Sequence, residues 1–437
     1  MVLMAVGTTL FLLPALINGY PLVYSDTSTY IASGFTLDMP MDRPIMYGLF
    51  LRFVSLNGFT LWTVVVVQGL LLSMVLYRLY TLLSATIEAQ WKVPGYLFMV
   101  ILSALSGAAW ATSHLMPDIF TSIMVLSMLL ILIQDRTSHS SIGLYLLFGV
   151  SVSMHFSHVP ISLTLLVVII LIWIFNHRRG EDHFGLRVVV ILTAITLLAF
   201  TSMLPAYSKS KHVFLMGAFV EQGIIGEYLH DNCAEKAYAL CRYQDSLPRY
   251  SWEFIWEPTS PLYKLGGWKE TREEFNEIIG DTFKSPKYLW IHFKTSIRET
   301  FHQLIRFQTV DPFGVAPNSE QLRSRIFQYI PPDGLRYDSS IQSRTNLLVL
   351  AWLNPVQKVL IFLSLAVFLI YFLMKQRWKF EHSRITLLIL LSGILLNALI
   401  TGTFANAIDR MGNKMIWLVP MMAAVILTNT IRNHFKA

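Results

Sequence analysis

Repeated apolar runs constrain this chain more than any other feature. They fall at roughly 3–21, 59–82, 94–113, 119–134, 142–157, 161–176, 187–206, 354–374, 385–405 and 415–431. A run of about 18 or more apolar residues reaches across a bilayer. Backbone amides in lipid find no water, so each such run has to close its own hydrogen bonds as a helix. The chain is 54% hydrophobic and only 14% charged, against roughly 25% charge in soluble domains, and its mean hydropathy is +0.52. The expected class is an all-α polytopic membrane protein with about ten transmembrane helices. A net charge of +7 does not point to nucleic acid here, because loop cations in such chains set orientation and meet lipid headgroups.

Loop charge orients the spans. Lys92, Arg136, Arg178, Arg179, Arg187, Lys375, Arg377, Lys379, Arg384, Arg432 and Lys436 fall in one set of connections, and only Arg410 and Lys414 in the opposite short turns. The positive-inside rule then puts both termini in the cytoplasm. The first span has neither a basic leader nor a small-residue exit, so it reads as a retained helix. Three regions follow: a seven-span module over 1–206 with a first exoplasmic loop at 22–57, an exoplasmic segment over 207–345, and three final spans over 346–437. The exoplasmic segment carries Trp252, Trp256, Tyr263, Trp268 and Trp290 and reads as a mostly helical cap. Within it, Leu289, Phe293, Ile297, Phe301 and Ile305 recur every four residues, which predicts one apolar helix face, suited to a partner helix or a membrane surface. Cys233 and Cys241 lie in the same segment, and an oxidising compartment favours a disulfide over two free thiols.

Polar residues at the exoplasmic ends of the spans are the candidate site. The first loop holds Asp26, Asp38, Asp42 and Arg43. Asp26 reads either as the N-cap of a short helix over 29–35 or as a general base or ligand in a cavity at the membrane face. Arg43 is solvated or holds a phosphate. Asp118 follows Pro117 and suits the first turn of the fourth span. His155 and His158, three apart, share one helix face, and His114 stands four before Asp118. The set Asp26, Asp118, His155 and His158 has the ligand types for a divalent metal or, alternatively, for a hydrogen-bonded polar pocket. Arg410 and Lys414 open the last span and read as headgroup contacts or as a clamp for a lipid-linked phosphate. There is no P-loop, no dinucleotide fingerprint, no nucleophile elbow and no HExxH motif, and no other cofactor follows from the sequence.

The order of Asp26, Tyr30, Arg43-Pro44, Tyr47, Leu51 and Leu76-Tyr77-Arg78-Leu79 resembles the GT-C superfamily of membrane glycosyltransferases. The likeness is to the branch of the protein O-mannosyltransferases and the lipid A aminoarabinose transferase. It covers residues 1–206 and, in layout only, the rest; the Asp-Glu pair of the mannosyltransferase loop is replaced by Asp26-Thr27. The resemblance implies an inverting hexosyl- or pentosyltransferase in a bacterial inner membrane, active on the periplasmic face. Its donor would be a sugar on a polyprenyl phosphate, its acceptor a glycan, lipid or protein. Asp26 and Asp118 would be the catalytic acids, with Asp26 as base. Arg43, Arg410 and Lys414 would hold the donor phosphate, and Tyr30, Tyr47, His155 and His158 the substrate. The alternatives are a ligase or polymerase using a polyprenyl-diphosphate glycan, a transporter or flippase, and a non-enzymatic envelope assembly factor. Transport predicts ionisable residues buried mid-span and internal repeats; the ionisable residues instead collect at one face.

Overall fold

The computed structural model describes residues 1–85, 87–134, 140–177, 185–310, 320–373 and 383–434. Of the cations that set the expected orientation, Arg136, Arg178, Arg179, Lys375, Arg377, Lys379 and Lys436 lie outside the described residues, as do the side chains of Arg384 and Arg432. Described residues form helices and no strand, with one isolated β-bridge between Leu22 and His114. In chain order the first half contains α1 (Val2–Phe11), α2 (Leu13–Asn18), α3 (Thr27–Thr36), α4 (Met46–Val54), α5 (Trp62–Leu83), α6 (Ala89–Ser103), α7 (Ala109–Ser113), α8 (Asp118–Ile133), α9 (Ser140–Val152), α10 (His158–His177) and α11 (Leu186–Glu221). Then come the short α12 (Ile224–Asn232), α13 (Ser251–Trp256), α14 (Pro261–Lys264) and α15 (Arg272–Thr282). After them stand α16 (Pro286–Ile305), α17 (Glu320–Tyr329), α18 (Gly334–Ser339) and α19 (Ile341–Arg344). The chain closes with α20 (Leu353–Leu373), α21 (Ser383–Phe404), α22 (Asp409–Ile416) and α23 (Leu418–His434).

Seven helical stretches among the described residues are long and apolar enough to cross a membrane: 62–83, 89–113, 158–175, 186–221, 347–373, 385–404 and 409–430. Three expected spans are shorter apolar helices: Val2–Phe11, Asp118–Ile133 and Ile142–Val152. The first of these is interrupted at Leu12, just before Pro14, which lacks the N–H that a continuous helix would use. The protein is therefore an all-α polytopic membrane protein. α8 sits at the centre, with all sixteen of its residues buried. The boundary expected at 206 falls inside α11, which continues to Glu221 through Pro205. Hydropathy marks where apolar residues end; it does not mark where backbone hydrogen bonding ends.

The described residues form two large hydrophobic cores and a small third cluster of Leu22, Trp110, Val310, Leu347 and Leu350. The larger joins α1 and α3–α11 to α20–α23. The smaller gathers Val213, Phe219, Tyr228, Leu240, Phe254, Phe275 and Tyr288 around the upper end of α11. Cys233 and Cys241 are disulfide-bonded beside this second core. Between α6 and α7 the chain makes a π-helical turn, Ala104–Ala108, in which Gly107 has φ +127°. A Cβ there would lie 2.2 Å from Asn413 Oδ1, so this glycine lets α22 approach.

Candidate functional site

Asp26 and Asp118 meet because the backbone holds their segments side by side. Leu22 N–H donates to the Ser113 carbonyl (2.8 Å) and Leu115 N–H to the Leu22 carbonyl (2.8 Å). The Thr27 hydroxyl donates to the Leu115 carbonyl at 3.2 Å. Gln342 brackets the same segment from a distant part of the chain, accepting from Val23 N–H and donating to its carbonyl. Asp26 stands at the N-cap position of α3, but its own backbone is helical (φ −67°, ψ −21°) and its side chain caps nothing. The cap reading of this residue is therefore corrected: the carboxylate turns to two arginines.

A third segment delivers the second arginine. The turn before α22 is held by α16: Gln303 Nε2 donates to the Ile408 carbonyl (3.0 Å) and Arg306 Nη1 to the Ala407 carbonyl (2.6 Å). Asn413 Oδ1 accepts from Gln357 Nε2 of α20 at 2.8 Å. Gly412 packs so closely on the Arg306 carbonyl that a Cβ would come within 2.0 Å of it. α22 then points Arg410 and Lys414 at the two acids.

Six charges alternate in sign along one line. Arg43 binds Asp42 through Nε at 3.0 Å and through Nη2. Arg43 Nη2 also reaches Asp26 Oδ1 at 3.2 Å, and Arg410 Nη1 donates to Asp26 Oδ2 at 3.0 Å. Arg410 Nε lies 3.4 Å from Asp118 Oδ2, and Lys414 Nζ 4.0 Å from Asp118 Oδ1. Three carboxylates and three cations leave the line neutral. The arginines are seated on aromatic faces: Arg43 lies 5.0 Å from the Tyr30 ring centroid, and Arg410 4.6 Å from that of Tyr24. Burial alone would raise the Asp26 carboxyl, but Arg43 and Arg410 outweigh it and hold the group down to about 2.

The line ends in a cavity of about 640 Å³. Asp26, Asp42, Arg43, Arg410 and Tyr30 form its polar floor. Its walls are apolar and largely aromatic, made by Phe156, Tyr207, Phe214, Trp252, Trp256 and Phe404. His155 also reaches the cavity. Its Nδ1 accepts from Ser157 N–H, which leaves the proton on Nε2. Burial, then the nearby cations Lys414, Arg410 and Arg43 together with His158, keep this imidazole neutral, well below its usual range. His114 donates from Nδ1 to the Trp110 carbonyl, and burial lowers it to about 4.

The other expected site residues stand behind the wall. Asp118 and Lys414 are buried one step back from the floor. Tyr47 is fully buried and donates to Gln68 Oε1 at 2.8 Å. His158 has both nitrogens engaged, Nδ1 donating to the Ser151 carbonyl (2.6 Å) and Nε2 facing Thr121 Oγ1 (2.7 Å). Among the described residues no group of three or more His, Cys, Asp or Glu side chains is placed to hold a metal ion. Asp38 takes no part in the cavity. The aromatic walls escaped the sequence reading as parts of a site; the spacing of Trp252 and Trp256, four apart on α13, was the available signal.

Fold and site thus define a polytopic helical membrane protein with an amphipathic cavity floored by two arginines. No family model, curated protein or solved structure matches the chain.

Proposed function

We propose that the protein is a membrane glycosyltransferase that takes a sugar from a polyprenyl phosphate and transfers it to a glycan, lipid or protein acceptor. The observation that carries this reading is the pairing of Arg43 and Arg410 on the floor with aromatic and aliphatic walls. Planar, permanently charged guanidinium groups suit a phosphate, and the walls suit the isoprenoid that bears it. The compartment is the periplasmic face of a bacterial inner membrane, by loop charge and by the GT-C resemblance.

Asp26 then has two states. Without ligand, both its oxygens are held by arginines, and a carboxylate titrating near 2 is a weak base. A donor phosphate competes for Arg43 and Arg410 and loosens that hold. The freed carboxylate takes the acceptor hydroxyl proton, the acceptor oxygen bonds to the anomeric carbon from the face opposite the phosphate, and the C1–O bond breaks with its electron pair left on the phosphate. The arginines stabilise that charge as it grows. Inversion at C1 follows from a single in-line displacement.

Mass spectrometry of lipids extracted from the purified protein tests the reading. A polyprenyl phosphate is expected with the wild type and lost from Arg43→Ala and Arg410→Ala. A polyprenyl diphosphate would point instead to the ligase reading. Failure to retain or turn over any sugar carried on a polyprenyl phosphate or diphosphate would overturn both.

A further inference from the structure

α16 has two unlike faces. One is packed: His292 lies against the Phe283 and Phe219 rings (centroids 4.4 and 4.7 Å), Gln303 grips the turn before α22, and the Glu299 carbonyl abuts Gly402 of α21. The other carries Leu289, Phe293, Ile297, Phe301 and Ile305, all exposed, with Phe293 55%, Phe301 64% and Ile305 71% accessible. Spaced by four, these side chains form one continuous strip about 24 Å long at 1.5 Å per residue. Trp290 is exposed next to the strip, stacked on Phe293 (5.5 Å), with Lys294 Nζ 6.0 Å from its ring centroid.

A strip of this size is not left in water by a well-folded surface. We infer that it is seated in the headgroup and upper acyl region of the bilayer, making α16 an interfacial helix. Four observations choose lipid over a protein partner. The strip is continuous with the membrane region, since the C-terminal end of α16 binds Ala407 and Ile408, between α21 and α22, whose helices belong to candidate spans. The outer side of α21 exposes Leu388, Leu395 and Leu399 in the same way. The strip also has the composition of an interface: an aromatic ring of mixed polarity at Trp290, with the long cations Lys294 and Arg298 beside it. Finally, a second exposed apolar group, Phe53, Leu56 and Phe59, sits immediately before α5, another candidate span, with Phe53 84% accessible. Both patches adjoin span ends, which is where a bilayer boundary has to lie.

The consequence is mechanical. α16 holds the turn that presents Arg410 to Asp26, so a helix resting on the membrane surface ties the depth of the cavity floor to the position of the lipid headgroups. This holds whatever the cavity accepts.

The test uses the full-length protein in phosphatidylglycerol–phosphatidylcholine nanodiscs, with its native cysteines disulfide-bonded. Phe293→Cys, Ile297→Cys and Phe301→Cys are labelled singly with an environment-sensitive fluorophore, and Glu273→Cys, exposed on α15, is the aqueous control. Probes at 293, 297 and 301 are expected to emit to the blue of the control. Lipids carrying a nitroxide near the headgroup should quench them at least threefold more than the control, with the reverse order for aqueous iodide. Iodide quenching at all three positions equal to that at 273 would overturn the inference. So would cysteine cross-linking between two copies through position 293 or 301, because a second chain would then cover the strip.

Discussion

At the scale of single residues, the decisive feature is that Asp26 shares two arginines and Asp118 shares one of them. A carboxylate depressed by cations contributes stability above its unfolded value, about 3.9, and loses it as pH falls through the folded value, here about 2. The wild type should therefore be more stable than Asp26→Asn at neutral pH, and the gap in thermal midpoint should close between about pH 4 and pH 2. Equal gaps at pH 7 and pH 2.5 would rule out the ion pairs as its source. Asp118 and Lys414 are coupled more deeply. Asp118→Asn leaves the buried Lys414 without its acid, an expected loss of about 3–5 kcal/mol. Lys414→Met should cost less, because Asp118 keeps Arg410 at 3.4 Å. The double variant should recover part of the Asp118→Asn loss, giving a favourable coupling in a denaturation cycle. Charges are easy to find in an apolar chain, and Asp26, Arg43, Asp118, Arg410 and Lys414 were all legible for that reason. Depth was not legible: the three-residue spacing suggests one helix face for His155 and His158, but His155 lies in the turn between α9 and α10, His158 opens α10, and only His155 reaches the cavity.

At the scale of elements, close backbone approaches fix where the charged groups point. In the α3–α4 hairpin a Cβ on Gly34 would lie 2.2 Å from the Gly48 carbonyl oxygen, a backbone atom with no room to yield. Gly34→Ala should push the two helices apart and carry Tyr30 away from Arg43. A loss of about 1–3 kcal/mol is expected in thermal unfolding, together with weaker retention of any bound phosphate. An unchanged melting midpoint would show that the hairpin tolerates the separation. The sequence pattern placed the short helix after Asp26 within two residues of its true start by its capping signal, and it left α4 inside what read as a loop over 22–57. It carried no information on which helices touch, because the close glycine contacts depend on backbone separation rather than on side-chain pattern.

At the scale of the molecule, two hydrophobic cores stand along one long helix, α11, with the disulfide beside the smaller. Closing a loop between cysteines eight residues apart restricts the unfolded chain by about 2–3 kcal/mol. Cys233→Ser with Cys241→Ser should therefore lower the stability of the smaller core and leave the helical bundle unchanged. Limited proteolysis should show earlier cleavage within 230–285, with the fragments bearing the apolar spans still intact. Cleavage spread evenly along the chain would mean that the two cores unfold as one.

The sequence alone determined that the chain is helical and membrane-embedded, and which few ionisable residues stand at the ends of its apolar runs. Those are local properties: a peptide group in lipid needs a partner within its own helix, and a run of apolar side chains is visible without neighbours. Tertiary structure alone decided that Arg410 would close on Asp26 across 384 residues of chain. That meeting requires the Leu22–His114 bridge, the grip of α16 on the turn before α22, and a glycine at 107 that leaves room for Asn413. Each is a contact between segments far apart in sequence, so no window of residues contains it.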